Sequence, residues 1–194
     1  MKVEAGTVTI LRITEVPRLD PIRVTLDDIG PSQGRINIEC YGKAWASYWG
    51  GMGGRTIAQF VASCDNSYLI SNLAPNLYAT RFSADALRAL CRSTIRGRRK
   101  GTRAAMREHE RLTKSEAAAL MQEVVCMNID TEADCYHESE TLNRIFGPDG
   151  VMTAVQAEEP NPEYVGLLRI CDAVREALKT LAAQQTQGGG NGQI

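Results

Sequence analysis

Two stretches of the chain combine residue types and spacing that can do chemistry. The first is Trp49-Gly-Gly-Met-Gly-Gly-Arg-Thr56, with four glycines in five positions between a strand pattern and a helix pattern. Successive glycine amides before a helix N-terminus form an anion nest, and the helix dipole adds to it. Gly50, Gly51, Gly53, Gly54 and Arg55 are therefore candidate phosphate ligands, and one function class is a nucleotide- or phosphate-processing enzyme at this glycine cluster. The words do not make a Walker A loop, because Trp49 stands where its first glycine belongs and Arg55 replaces its lysine. They do not spell Gly-x-Gly-x-x-Gly either. The favoured reading is structural: a strand-to-helix turn that needs positive φ, packed beside two tryptophans.

The second stretch is basic. From Arg81 to Arg107 there are nine Lys/Arg against one acid, Asp85, a net charge of +8. Arg88, Arg92 and Arg96 recur every four residues beside an apolar stripe of Leu87, Cys91 and Ile95. Arg98, Arg99, Lys100, Arg103 and Arg107 continue the charge beyond Gly97. Arginine outnumbers lysine by eight to one, and its planar fork suits phosphate and carboxylate. A chain that placed these groups on a polyanion would bind with steep salt dependence. Residues 128–163 carry the opposite excess, nine Asp/Glu against Arg144, a net −8. That segment opens three further readings: internal pairing, self-association of a bipolar protein, and occupation of a partner's basic groove.

Other chemistry is sparse. The two histidines are His109 and His137. Cys126, Cys135 and His137, with Cys91, His109 or Cys171 as a fourth ligand, lack the short paired spacings of zinc sites. No metal and no cofactor is expected. Tyr41, Trp45, Tyr48 and Trp49 have the composition of a base-stacking platform, but cross-strand and core packing is the favoured role for both tryptophans.

These groups must be held by a fold, and the chain has the means for one. It has 194 residues, 43% hydrophobic and 23% charged, with a net charge of −1, which is globular composition. Six scattered cysteines, no apolar leader and no membrane-length run predict a cytoplasmic protein with reduced thiols and no membrane partner. Thr7–Val16, Ile22–Leu26, Ile36–Cys40 and Ala44–Trp49 read as strands, with turns at Asp28–Gly34 and Gly42-Lys43. From Thr56 the period becomes helical, with a break at Asp65-Asn66 and a stop at Ala74-Pro75. Ser83 starts the basic helix, which Gly97 and Gly101 end or interrupt. Thr113 and Glu116 form a capping box. Glu138–Phe146 is a short helix, and Pro162 opens an amphipathic helix to about Ala183. The expected class is α+β: an N-terminal antiparallel sheet of three to four strands packed by helices, followed by a helical C-terminal half. The expected division is 1–80 as the sheet domain, 81–183 as a helical region and 184–194 as a flexible tail.

The segment Leu19–Gly30, followed by Gly34–Gly54 with its Cys-Tyr-Gly, Trp and Tyr-Trp-Gly-x-Met-Gly words, resembles a family of small proteins from tailed phages and prophages over roughly the first 75 residues. The resemblance carries over no catalytic or binding residues. It implies a mobile-element accessory protein in a bacterial cytoplasm, of the kind that serves phage DNA metabolism or counters host defences such as CRISPR. The leading expectation is a non-enzymatic protein that binds nucleic acid or a host nucleoprotein complex through Arg88, Arg92, Arg96, Arg98, Arg99, Lys100 and Arg103. The runner-up is a protein–protein inhibitor or adaptor that uses residues 128–163 without touching nucleic acid.

Overall fold

A computed structural model describes residues 1–102 and 110–188, with side chains described up to residue 184. It divides into two compact units, one made of Met1–Tyr78 with the chain from Pro162 onward, the other of Ala79–Asn161. The class is α+β.

The first unit is built on a four-stranded antiparallel sheet in the order β1 (Thr9–Ile13), β2 (Ile22–Gly30), β3 (Gln33–Cys40) and β4 (Lys43–Trp49). The period-2 pattern sets its faces. Ile22, Val24 and Leu26 of β2 and Ile36, Ile38 and Cys40 of β3 are buried, while their neighbours Arg23, Arg35 and Glu39 point away. The β3–β4 turn is Tyr41-Gly42, with φ of 47° and 71°. This is one residue earlier than the sequence suggests, because Cys40 pairs with Lys43 and leaves a two-residue loop with both central φ positive.

Three helices cover the buried face. Thr56 caps α1 (Ile57–Ser63) in a reciprocal box with Gln59, and Asp65 caps α2 (Asn66–Leu73). The long α8 (Pro162–Gly188) presents Leu167, Ile170, Cys171, Val174 and Leu178 to the same core. Burying each of its leucines or its valine contributes about 1.5–3 kcal/mol. This helix, expected with the helical C-terminal region, packs on the sheet and on α1 and α2. It also runs through Gln184–Gly188, five residues into the stretch expected to be a tail. Residues 189–194 lie outside the described residues. Trp49 is 7% exposed, tilts against Phe60 at 5.5 Å and donates its indole N–H to Tyr68 Oη at 3.1 Å. Trp45 packs half-buried against the same core.

The second unit opens and closes on a two-stranded ribbon, β5 (Thr80–Phe82) with β6 (Glu158–Pro160). Between them run α3 (Ala84–Lys100), α4 (Lys114–Cys126), α5 (Asp134–His137), α6 (Ser139–Phe146) and α7 (Gly150–Ala154). Their core holds Leu87, Cys91, Ile95, Leu120, Val124, Leu142 and Ile145. The capping box of Thr113 and Glu116 forms as the spacing predicts. Gly97 does not end α3. The helix continues to Lys100 and stops at Gly101, whose φ of 73° is the left-handed conformation that closes a helix.

Candidate functional site

The basic residues are displayed by α3, and its phase decides their roles. Ser83 caps the helix by accepting from the Ala86 amide, and Asp85 complements the dipole in the first turn. Leu87, Cys91 and Ile95 turn inward. Arg88, Arg92, Arg96 and Arg99, at steps of four, four and three, share the flank beside that stripe. Arg88 is the innermost, with side-chain exposure of 28%, and reaches Asp85 Oδ1 and the Ile129 carbonyl, each at 3.4 Å. Arg92 is half-buried, and Arg96, Arg99 and Lys100 are exposed. Among the described residues, the charged groups of Arg92, Arg96, Arg99 and Lys100 have no ion-pair or hydrogen-bond partner, while the Arg99 carbonyl accepts from Arg111 Nε at 3.4 Å. Arg103, Arg107 and His109 lie outside the described residues.

Arg98 stands apart from the group it was expected to join. It is 8% exposed, on the buried side of the helix. Its Nη1 donates to the carbonyls of Arg144 at 2.5 Å and Ile145 at 3.0 Å, while Nε and Nη2 donate to the Glu110 carbonyl at 3.3 and 3.2 Å. Arg144 and Ile145 are in the last turn of α6, where carbonyls lack intrahelical donors. Arg98 is thus the cap of another helix, and burial pushes its guanidinium pKa down. Sequence holds a signal for this: residue 98 continues the phase of Leu87, Cys91 and Ile95 once the helix is run through Gly97.

The acidic segment does not neutralise α3. Among the described residues, the ion pair joining the two charged segments is Arg81–Glu159 at 2.8 Å, on the ribbon. Several of the acids serve local structure instead. Asp134 accepts from the Thr131 hydroxyl and amide at 2.8 Å each, and Glu138 from the Asn128 amide at 3.4 Å. Glu159 accepts from Arg81 and Ser83. Hydrogen bonds to the charged form hold Asp134 and Glu159 below the usual carboxylate range.

The glycine turn is a connector in which the amides of Met52 and of Gly54 through Ile57 bond within the protein. The Met52 amide donates to the Ser32 carbonyl at 2.9 Å, the Gly54 amide to Ser32 Oγ at 2.7 Å, and the Arg55 amide to the Met52 carbonyl at 3.4 Å. The Thr56 amide goes to Gln59 Oε1, and the Ile57 amide to Asp28 Oδ1 at 2.7 Å. Arg55 folds back, donating to the Met52 carbonyl and Ser63 Oγ over the Phe60 ring. Gly53 and Gly54 adopt φ of 63° and 78°, the conformation glycine permits. Gly50 and Gly51 are exposed. Met52, 1% exposed, is the plug of the turn; the sequence marked it only as part of the Tyr-Trp-Gly-x-Met-Gly word, with no core role. Gly34 lets the turn close, since a Cβ there would stand 2.7 Å from Ile57 Cβ and 3.0 Å from Met52 Cε.

The thiols and His137 do not gather into a metal site. Cys91 and Cys135 are buried in the second unit's core, Cys171 is buried in the first, and Cys126 is exposed. No three His, Cys, Asp or Glu side chains among the described residues are placed to hold a metal ion. No helix among those residues is long and apolar enough to cross a membrane.

A phage protein family (Phage_phiTE_072) matches residues 1–180, so the match takes in the arginine run and the acidic segment as well as the N-terminal words. No curated protein and no solved structure matches the chain. A match of that extent, over both units, is membership: the chain belongs to this phage family.

Proposed function

We propose that this phage protein binds nucleic acid, or a host nucleoprotein complex, through the cationic flank of α3, and does so as a binding rather than a catalytic protein. In a phage protein, such an activity suits interference with a host defence complex of the CRISPR type. The observation that carries the reading is the row Arg92, Arg96, Arg99 and Lys100, four neighbouring cations whose charged groups have no partner among the described residues. Arg88 extends the row, Arg98 is withdrawn from it to cap α6, and Arg103 lies outside the described residues. Unpaired guanidinium groups on one flank displace counterions from a phosphate chain and gain entropy by doing so.

Four phosphate contacts predict a slope of log K against log salt of about −3 to −4, shallower on single strands than on duplex. The test is a gel shift with short DNA and RNA at several salt concentrations. Combined reversal of Arg92, Arg96 and Arg99 to glutamate should abolish binding. Equal binding by that triple variant would remove the assignment. The rival reading, docking of residues 128–163 in a partner's basic groove, draws on the exposed Asp130, Glu132, Glu140 and Asp149. It is separated by pull-down of host complexes after nuclease treatment, where capture independent of the three arginines favours the acidic segment. The phosphate-enzyme reading of the glycine turn is left with fewer donors, since the Gly54 and Arg55 amides bond within the protein.

A further inference from the structure

In the first unit, where the β3–β4 turn approaches the start of α8, lies a hollow of about 320 Å³ walled by Leu19, Trp45, Leu167 and Ile170. Its volume is at the lower end of ligand sites, and its lining is mainly apolar. Gly166 leaves it open. This glycine is inside α8, where it weakens the helix relative to alanine. Its φ is not in the left-handed region, and a Cβ added there would meet nothing within 4 Å. Neither backbone conformation nor close packing asks for glycine here; its effect is the hollow itself.

Arg18 and Tyr41 border this hollow; the φ of Tyr41 belongs to the β3–β4 turn, while Arg18 also has a positive φ, of 60°. Tyr41 is also 84% exposed, so its ring is not spent on the core.

We infer that this hollow receives an aromatic side chain of a partner protein, with Trp45 as the stacking wall. Charge selects this occupant over a nucleotide. The rim carries Arg18 and Lys43 against Asp20 and Glu163, with Lys43 Nζ 2.7 Å from Glu163 Oε1. A phosphate would meet two carboxylates and no net positive field, whereas a peptide offers an amide to Asp20 and a carbonyl to Arg18, the rim charges left once Lys43 and Glu163 engage each other. The site is independent of the α3 surface and adds a protein contact to it.

The probe is N-acetyl-phenylalanine amide, titrated into the full-length protein and followed by amide and indole NMR shifts. A ligand of this size predicts a Kd of about 1 mM. The expected result is saturable movement of the Trp45 indole and the Gly166 amide, while the buried Trp49 indole stays still. N-acetyl-alanine amide and GMP should leave all three unmoved. Gly166→Leu should weaken binding at least tenfold with an unchanged or higher melting temperature, and Gly166→Ala should weaken it partly. No saturable shift, or a GMP response equal to that of the aromatic amide, overturns the inference. So does undiminished affinity in Gly166→Leu, or in Gly166→Ala if the leucine variant does not fold.

Discussion

Arg98→Leu separates the two roles that arginine plays on α3. In the wild type the guanidinium serves three carbonyls, those of Glu110, Arg144 and Ile145, from a position 8% exposed. A hydrogen bond from a charged donor contributes about 1.5–3 kcal/mol, so three deserted carbonyls set a gross loss of about 4–9 kcal/mol. Two terms offset it. Leucine carries no charge to desolvate, and it continues the apolar stripe of Leu87, Cys91 and Ile95. We expect a net destabilisation of about 2–4 kcal/mol, somewhat below the range for breaking a buried ion pair. The assay is equilibrium urea unfolding followed by circular dichroism. Arg96→Ala is the control, and an exposed, unpartnered side chain should change stability by less than about 0.5 kcal/mol. Nucleic-acid binding, measured where both variants are folded, should show the opposite order: Arg96→Ala weakened, Arg98→Leu close to wild type. Wild-type stability in Arg98→Leu together with lost binding would refute the capping role and return Arg98 to the binding surface.

Three other outcomes follow from local geometry. Gly150→Ala should destabilise the second unit by about 1–3 kcal/mol or more in the same unfolding assay, because its Cβ would lie 2.5 Å from the Leu142 carbonyl oxygen and 2.7 Å from the Asn143 nitrogen, both backbone. Glu116, Asp134 and Glu159 have folded-state pKa values lowered chiefly by hydrogen bonds from Thr113, Thr131 and Arg81. Their stabilisation is complete above the ordinary values of 4.5 and 3.8 and is lost as pH falls through the folded ones, so Glu116→Gln or Asp134→Asn should flatten the acid limb of a stability–pH curve. In thiol labelling of the native protein, the exposed Cys126 should react first, while Cys91 and Cys171, whose thiols burial pushes up to about 12, should react only on unfolding; rapid labelling of either would contradict their placement in the cores.

What could be read from sequence was what depends on short separations. The alternation of Ile22, Val24 and Leu26 with polar neighbours, the Thr113–Glu116 box and the stripe from Leu167 to Leu178 each lie within a few turns or pleats, and each forms as expected. What escaped depends on distant partners. The three-residue strands β5 and β6 have no pattern of their own and exist because Thr80 meets Pro160. The docking of α8 beside α1 and α2 follows from a shared core that no local window contains. At the candidate site, Gly97 misled: treated as a break, it hid the phase that turns Arg98 inward while leaving Arg96 and Arg99 outside.

The two charged features that first suggested ligands share one physical explanation. At the N-terminus of α1 the free Ile57 amide finds the Asp28 carboxylate; in the last turn of α6 the carbonyls of Arg144 and Ile145 find the Arg98 guanidinium. In each case a side chain of the sign the helix dipole favours meets groups that helix geometry leaves without partners. An anion approaching the Ile57 amide at the start of α1 would have to displace Asp28, and a phosphate approaching Arg98 would have to uncap α6. Arg99 and Lys100 lie in the last turn of α3, where their charge suits its dipole. Arg92 and Arg96 face neither a helix end nor, among the described residues, a carboxylate, so they are the charges of this row that the helix itself leaves unexplained, and the test for a partner belongs there first.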